Sequence, residues 1–100
     1  MTAGNMPADW SLAHYQLTEH ARRQMMRRRI SEAQVAQALT APEQVEQVRE
    51  GRIVCQTRMQ PDETGVVYLL RVFVDIDRSP PEVVTVYRTS KVAKYWRNGT

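Results

Sequence analysis

The sequence lacks the features that define several large classes of protein. It contains one cysteine, Cys55, which excludes a disulfide within the chain and any metal site built from several cysteines. No stretch approaches the roughly 18 apolar residues of a membrane-spanning helix. Residues 1–10 have neither the basic start nor the apolar run of a secretory signal. We therefore expect a cytoplasmic protein that works in a reducing environment and does not associate with a membrane.

The composition that remains is ordinary for one small folded domain. The chain has 100 residues, of which 42% are hydrophobic and 25% are charged, as in most globular proteins. Residues 1–13 contain Gly4, Asn5 and Pro7, which interrupt any regular pattern. We therefore expect residues 1–13 to form a flexible leader and residues 14–97 to form a single domain.

The first half of that domain predicts two helices. Thr18 is a suitable N-cap for a helix over residues 19–28. Its His20, Gln24, Arg27 and Arg28 are predicted to face away from the apolar stripe of that helix. A second helix begins at Ser31, which forms a capping box with the glutamine three residues later. This helix ends before Pro42, because proline cannot continue it.

The second half has the two-residue period of β-strands. After a short extended piece at residues 15–17 and the two helices, alternation predicts a weak edge strand near residues 43–48 and further strands over residues 52–60, 66–76 and 83–89. Ser90 is predicted to cap a short helix over residues 91–97. The expected fold is α+β, with two N-terminal helices packed on one face of a three- to four-stranded antiparallel sheet and a short C-terminal helix.

Charge is strongly segregated along the chain. The formal net charge is only +3, but residues 18–30 carry +4 and residues 88–100 carry another +4. Residues 31–87 between them carry −4. If the fold brings the two basic segments together, they form a positive surface suited to a phosphate backbone. The alternative is that each segment is a solvated face with no partner.

Arg71 interrupts an otherwise apolar face of the central strand. An unpaired buried guanidinium is costly, so this side chain must be paired or must border a cleft. One interpretation is a clamp for an anion such as a phosphate. The other is an ion pair with Asp75, two residues along on the same face, or with an acid on a neighbouring strand.

Two histidines and the end of the last strand supply further candidates. His20 is suited to general acid–base chemistry, although a lone exposed histidine often has no such role. His14 lies six residues away with no cysteine or carboxylate at a ligand spacing, so we expect no metal and no cofactor. Residues 87–91 bring a phenol, a guanidinium, two hydroxyls and an ammonium together. Beyond them, Tyr95 and Trp96 either stack on bases or dock the C-terminus on the core.

A series of short motifs extends over residues 15–97. Its members are Leu17-Thr18-Glu19-His20-Ala21, Met25, Arg28, Ile30-Ser31, Val35, Leu39, Pro42, Gly51-Arg52, Leu70-Arg71-Val72, Val74-Asp75, Val84-Thr85-Val86-Tyr87-Arg88-Thr89-Ser90-Lys91 and Tyr95-Trp96. In this order and spacing the chain resembles a bacterial family named domain of unknown function 4258. It departs from the family at Gln24, where an arginine is expected, and at Arg29, where a glycine is common.

The layout of that family resembles the RelE/BrnT type of toxin. These toxins are small basic ribonucleases of toxin–antitoxin modules, and they cut RNA without a metal ion. The resemblance therefore implies an RNA substrate and an antitoxin protein as partner. Carried over to this chain, it implies that the catalytic residues are His20, Arg71, Tyr87 and Arg88.

Two functional hypotheses follow. In the first, the chain is a metal-independent endoribonuclease, in which His20 or Tyr87 deprotonates the 2′-hydroxyl while Arg71 and Arg88 stabilise the charged phosphate. In the second, it is a non-catalytic module that binds nucleic acid or protein, with a homodimer joined through an open sheet edge as a further alternative. In either case the predicted nucleic-acid-binding residues are Arg23, Arg27, Arg28, Ser90, Lys91 and Lys94.

Overall fold

The structure, a computed structural model, describes residues 12–98. Most of the predicted leader, residues 1–11, lies outside the described residues. At its end, the backbone N–H of Leu12 donates to the carbonyl of Leu39 over 2.8 Å. The Leu12 side chain also packs against the core. Within residues 12–98, no helix is both long enough and apolar enough to cross a bilayer.

Both predicted N-terminal helices are confirmed. Helix α1 spans Glu19–Arg28 and helix α2 spans Glu32–Thr40. The Thr18 hydroxyl accepts from the N–H of Ala21 at the start of α1. The capping box of α2 is also present, because the Ser31 hydroxyl accepts from the Gln34 N–H while the Gln34 amide oxygen accepts from the Ser31 N–H.

Helix α1 ends at a residue with left-handed backbone geometry. Arg29 has φ 56° and ψ 46°, a region that glycine enters without steric cost and other residues rarely adopt. The Arg29 N–H donates to the carbonyl of Met26, and the Ile30 N–H donates to that of Met25 over 2.8 Å. This pair of bonds is the Schellman C-cap, in which the left-handed position is usually glycine. This geometry explains why the family that the sequence resembles commonly has glycine at the position of Arg29.

The sheet has five strands, arranged in the order β1-β5-β4-β3-β2. Strands β2 to β5 form an antiparallel meander, as predicted, but Gln16–Leu17 adds a parallel strand beside β5. The α+β class is thus confirmed, while the sheet is mixed and larger than the predicted three or four strands. The strands are β1 Gln16–Leu17, β2 Gln44–Arg49, β3 Arg52–Arg58, β4 Leu69–Asp75 and β5 Glu82–Thr89.

The core lies between the helices and one face of the sheet. Alternate residues of β4 supply its centre, and side chains from both helices cover them. Val66 and Val67, which were predicted to begin the central strand, precede β4 and are exposed. Burial in this core raises the pKa of the Cys55 thiol to about 12. The core residues are Ala21, Met25, Ile30, Val35, Ala38, Leu39, Ile53, Cys55, Leu70, Val72, Val74, Val83 and Val86.

The other face of the sheet, here called the open face, is crossed by the end of the chain. Helix α3 is only Val92–Tyr95, shorter than the predicted 91–97. The C-terminal segment, residues 90–98, then passes from β5 towards β2. Gln56 of β3 donates to the carbonyl of Tyr95 over 3.1 Å. Gln44 of β2 binds the backbone of Arg97 through both ends of its amide.

Candidate functional site

The four residues predicted to be catalytic do not share one site. Adjacent residues of a strand point to opposite faces of the sheet, so Tyr87 and Arg88 diverge. Tyr87 lies opposite Arg71 in the β4–β5 pair, and both side chains lie on the open face. Arg88 lies opposite Leu70, a core residue, and is therefore on the helix side, where His20 lies on the first turn of α1. The thickness of the sheet separates the two pairs.

Helix α1 covers the free edge of β5. Strand β1 pairs only with residues 82 and 83 of β5, so within residues 12–98 the backbone groups of Val86 that point away from β4 have no strand beside them. The Gln24 amide oxygen accepts from the Val86 N–H over 2.8 Å, and Arg28 Nη1 donates to the Val86 carbonyl over 3.3 Å. Both side chains thus bind the sheet edge instead of facing only solvent. Arginine could not replace Gln24 as the acceptor, because a guanidinium has only donors.

These contacts place several basic side chains along one edge of the molecule. His20, Gln24 and Arg28 follow one another at four-residue spacing and share a stripe of α1. Arg88 is the next side chain after Val86 on the helix side of β5, one strand period further along. The basic edge is defined here as Arg23, Arg27, Arg28 and Arg88, all of which are exposed. In this region the two basic segments of the sequence meet.

The basic edge keeps most of its charge, whereas four arginines elsewhere are paired with acids. Within residues 12–98, the only ion pair of the basic edge joins Arg23 to Glu19 over 3.7 Å, and both side chains are largely exposed. Elsewhere, acids of residues 31–87 form ion pairs with basic residues, and two of these pairs lower the pKa of their carboxylate. The guanidinium of Arg58 lowers the pKa of Glu43, and that of Arg52 lowers the pKa of Asp75. The paired arginines are Arg52, Arg58, Arg78 and Arg97.

Arg71 forms a second cluster, on the open face. Its side chain is only 8% exposed. The predicted ion pair with Asp75 is absent, because Asp75 instead binds Arg52 over 2.6 Å. Arg71 Nε donates to the amide oxygen of Gln56 over 3.0 Å, and Nη1 donates to the Tyr87 hydroxyl over 2.6 Å. Among the described residues the guanidinium therefore has neutral partners and no carboxylate.

Aromatic rings surround the same guanidinium. Its central carbon lies 4.2 Å from the ring centre of Tyr95, 5.2 Å from that of Phe73 and 5.7 Å from that of Tyr87. Such contacts stabilise a cation through the negative face of each ring. Tyr95 belongs to the C-terminal segment, so that segment covers Arg71. The Lys94 ammonium, 5.3 Å from the Tyr95 ring centre, is the main cause that lowers the pKa of Tyr95, and Tyr87 and Arg71 add to it.

The remaining predicted binding residues follow β5. Ser90 is not the cap of α3, because Lys91 holds that position and no side chain bonds there. The Lys91 N–H instead donates to the Thr89 hydroxyl over 3.1 Å. Lys91 and Lys94 are both exposed, but only Lys94 contacts the cluster around Arg71. The predicted binding residues are thus divided between the basic edge and the C-terminal segment.

Sequence reasoning missed two members of these sites. Gln56 is 3% exposed and connects Arg71 to Gln44 and to the C-terminal segment. A glutamine inside a strand that is otherwise buried was the available signal. Gln24 was noted as a departure from the family pattern and as a residue that faces away from the apolar stripe. Its role as an acceptor for β5 depends on a contact between residues 62 apart, which no local pattern reveals.

The fold and the basic edge define a small α+β protein whose two helices cover one face of a mixed sheet. A family model described as Domain of unknown function (DUF4258) matches residues 17–88. The chain belongs to this family, which confirms the resemblance noted in the sequence. Searches among curated proteins and among solved structures found no match.

Proposed function

We propose that this chain binds RNA through the phosphates of a single strand that lies along the basic edge. The observation that carries the proposal is the uncompensated charge of Arg27, Arg28 and Arg88 where α1 meets the end of β5. Arginine contacts phosphate oxygens through paired donors. A cytoplasmic setting would supply the RNA. An acidic antitoxin protein is the partner that the same charge would attract.

Binding of this kind must weaken as salt rises, because each phosphate contact releases a counterion. Three or four contacts on a single strand correspond to a slope of roughly −2 to −3 in log affinity against log salt. We would measure this slope by fluorescence anisotropy with a labelled single-stranded RNA of mixed sequence, in EDTA. Arg27→Gln should reduce the slope by about 0.7, the contribution of one contact.

Arg49→Gln is the matched control for that variant. Arg49 is exposed at the end of β2, on the opposite edge of the sheet. Its removal changes the net charge by the same amount as Arg27→Gln. We expect it to leave both affinity and slope nearly unchanged. If the two variants changed the affinity for RNA equally, binding would depend only on net charge, and this result would refute binding at the basic edge.

Metal-independent cleavage, as in RelE-type toxins, is a second candidate function. It is favoured by the position of His20, which shares a stripe of α1 with Arg28 and so borders the same edge. An imidazole there would take the proton of a 2′-hydroxyl. That oxygen would attack the adjacent phosphorus as the bond to the 5′-oxygen breaks and the 5′-oxygen takes a proton from water, giving a 2′,3′-cyclic phosphate and a 5′-hydroxyl. Arg28 and Arg88 would stabilise the added negative charge.

Cleavage is tested in the same buffer by electrophoresis of the RNA. If His20 is the base, His20→Ala should abolish cleavage and leave the salt slope of binding intact. RNA methylated at every 2′-oxygen should bind without being cut, because it lacks the nucleophile. Cleavage that persists in His20→Ala would exclude this assignment. Binding without cleavage of unmodified RNA would leave the binding function alone.

A further inference from the structure

The cluster around Arg71 contains a buried cation whose hydrogen bonds are incomplete. A guanidinium has five N–H donors, and those of Arg71 make two bonds, to Gln56 and Tyr87. Nη2 makes no hydrogen bond within residues 12–98. Every fully buried side-chain nitrogen or oxygen in that range does have a partner, so Nη2 must reach solvent. The cation is therefore held by the protein on two sides and open at one nitrogen.

The surroundings of that nitrogen favour an anion. A buried charge without a counterion is destabilising, and contacts with aromatic rings offset only part of that cost. Lys94 adds a second positive charge beside Tyr95, and the lowered pKa of Tyr95 reflects the positive potential there. The hydroxyl of Tyr87 accepts from Arg71 and directs its own proton towards the Tyr95 oxygen, so the Tyr95 hydroxyl is the phenol left to donate to an oxygen acceptor.

We propose that Arg71, Tyr87, Tyr95 and Lys94 form a binding site for the phosphate group of a small molecule, beneath the C-terminal segment. Arg71 Nη2, the Lys94 ammonium and the Tyr95 hydroxyl are the donors for its oxygens, and Tyr87 holds Arg71 and Tyr95 in place. A small ligand is favoured over a nucleic-acid strand because the C-terminal segment lies across the site and Arg71 is only 8% exposed. This site is on the opposite face from the basic edge and does not depend on RNA binding.

The test uses inorganic phosphate as the probe, at constant ionic strength maintained with potassium chloride. Binding is followed by the Nε–H resonance of Arg71 in ¹H–¹⁵N spectra, assigned by its loss in Arg71→Lys. We expect a saturable shift. Lys94→Gln should weaken phosphate binding roughly 10- to 150-fold, as expected for the loss of one charge-assisted hydrogen bond. Lys91→Gln removes the same charge from a neighbouring exposed position and should change affinity less than twofold.

Three results would overturn the proposal. One is the absence of a saturable shift of the Arg71 resonance with phosphate. Another is equal weakening by Lys91→Gln and Lys94→Gln, which would indicate a general effect of charge. The third is a single-stranded RNA that perturbs the Arg71 resonance as strongly as phosphate does, because the occupant would then be a nucleic-acid strand. If Arg71→Lys fails to fold, the resonance is assigned instead by triple-resonance correlation in the wild type, and the variant of the exposed Lys94 remains informative.

Discussion

The left-handed backbone of the residue that ends α1 allows a quantitative prediction about the stability of the protein. Arg29 has φ 56°, where a side chain with a Cβ costs about 1–2 kcal/mol relative to glycine. Arg29→Gly removes that cost and leaves the Schellman bonds in place, because they use backbone atoms alone. It also removes one of three consecutive positive charges at the end of a helix that carries Arg27 and Arg28 in its last turn.

Two opposing effects reduce the gain. Glycine has more conformational freedom in the unfolded chain, which costs about 0.4–1 kcal/mol. Loss of a cation at a helix C-terminus costs about 0.3 kcal/mol at an exposed position, and Arg29 is exposed. The net expectation is a gain of about 0.5 kcal/mol. For a domain of this size that corresponds to a rise in Tm of roughly 2–4 °C.

The measurement is urea unfolding combined with a thermal melt of the wild type and three variants. Arg29→Ala removes the charge but keeps the strain, so it should be neutral or slightly destabilising. Arg27→Gly places glycine inside the helix and should cost about 1 kcal/mol. If Arg29→Gly destabilises the protein as much as Arg27→Gly does, the left-handed geometry assigned to Arg29 is wrong.

Three further predictions concern the glycines, an acid and the cysteine. Gly51→Ala should destabilise the protein more than Gly65→Ala does in urea unfolding. Both glycines have positive φ, but a Cβ at Gly51 would lie 2.7 Å from a carboxylate oxygen of Asp77, whereas a Cβ at Gly65 would meet nothing. Equal losses of stability in the two variants would contradict this. The free energy of unfolding should fall as the pH drops below about 4, since Arg52 lowers the pKa of Asp75 from its ordinary value of 3.8 and that stability is lost as the carboxylate protonates. A shallower acid slope in Asp75→Asn checks the assignment. The thiol of Cys55, with its pKa raised to about 12, should resist iodoacetamide at pH 8 in the native protein and react fully in guanidinium chloride.

Local patterns predicted the elements of this fold well. The Thr18 cap, the Ser31 capping box and the break at Pro42 fixed both helices, because each depends on residues a few positions apart. The strand alternation likewise predicted the meander from β2 to β5. What could not be predicted were the pairings between distant segments, such as the parallel contact of Gln16–Leu17 with β5.

The candidate site was predicted less completely, for the same reason. The strand pattern identified Arg71 as unusual, but its partner Gln56 lies on another strand and its cover, Tyr95, lies in the C-terminal segment. The alternation of strand side chains could have shown that the predicted catalytic set does not share one face. Tyr87 and Arg88 are consecutive in a strand, so they could not act on one face of the sheet together.

The position of β5 in the sheet has a consequence for the order in which the protein can fold during its synthesis. The meander grows by hairpins between consecutive strands, so each strand can pair soon after it is made. Helix α1 and strand β1, by contrast, are made first, but within residues 12–98 their main partner is β5, through contacts such as Gln24 with Val86, 62 residues apart. During synthesis on the ribosome, β5 therefore cannot cover the apolar side of α1 until residues 82–89 have left the exit tunnel.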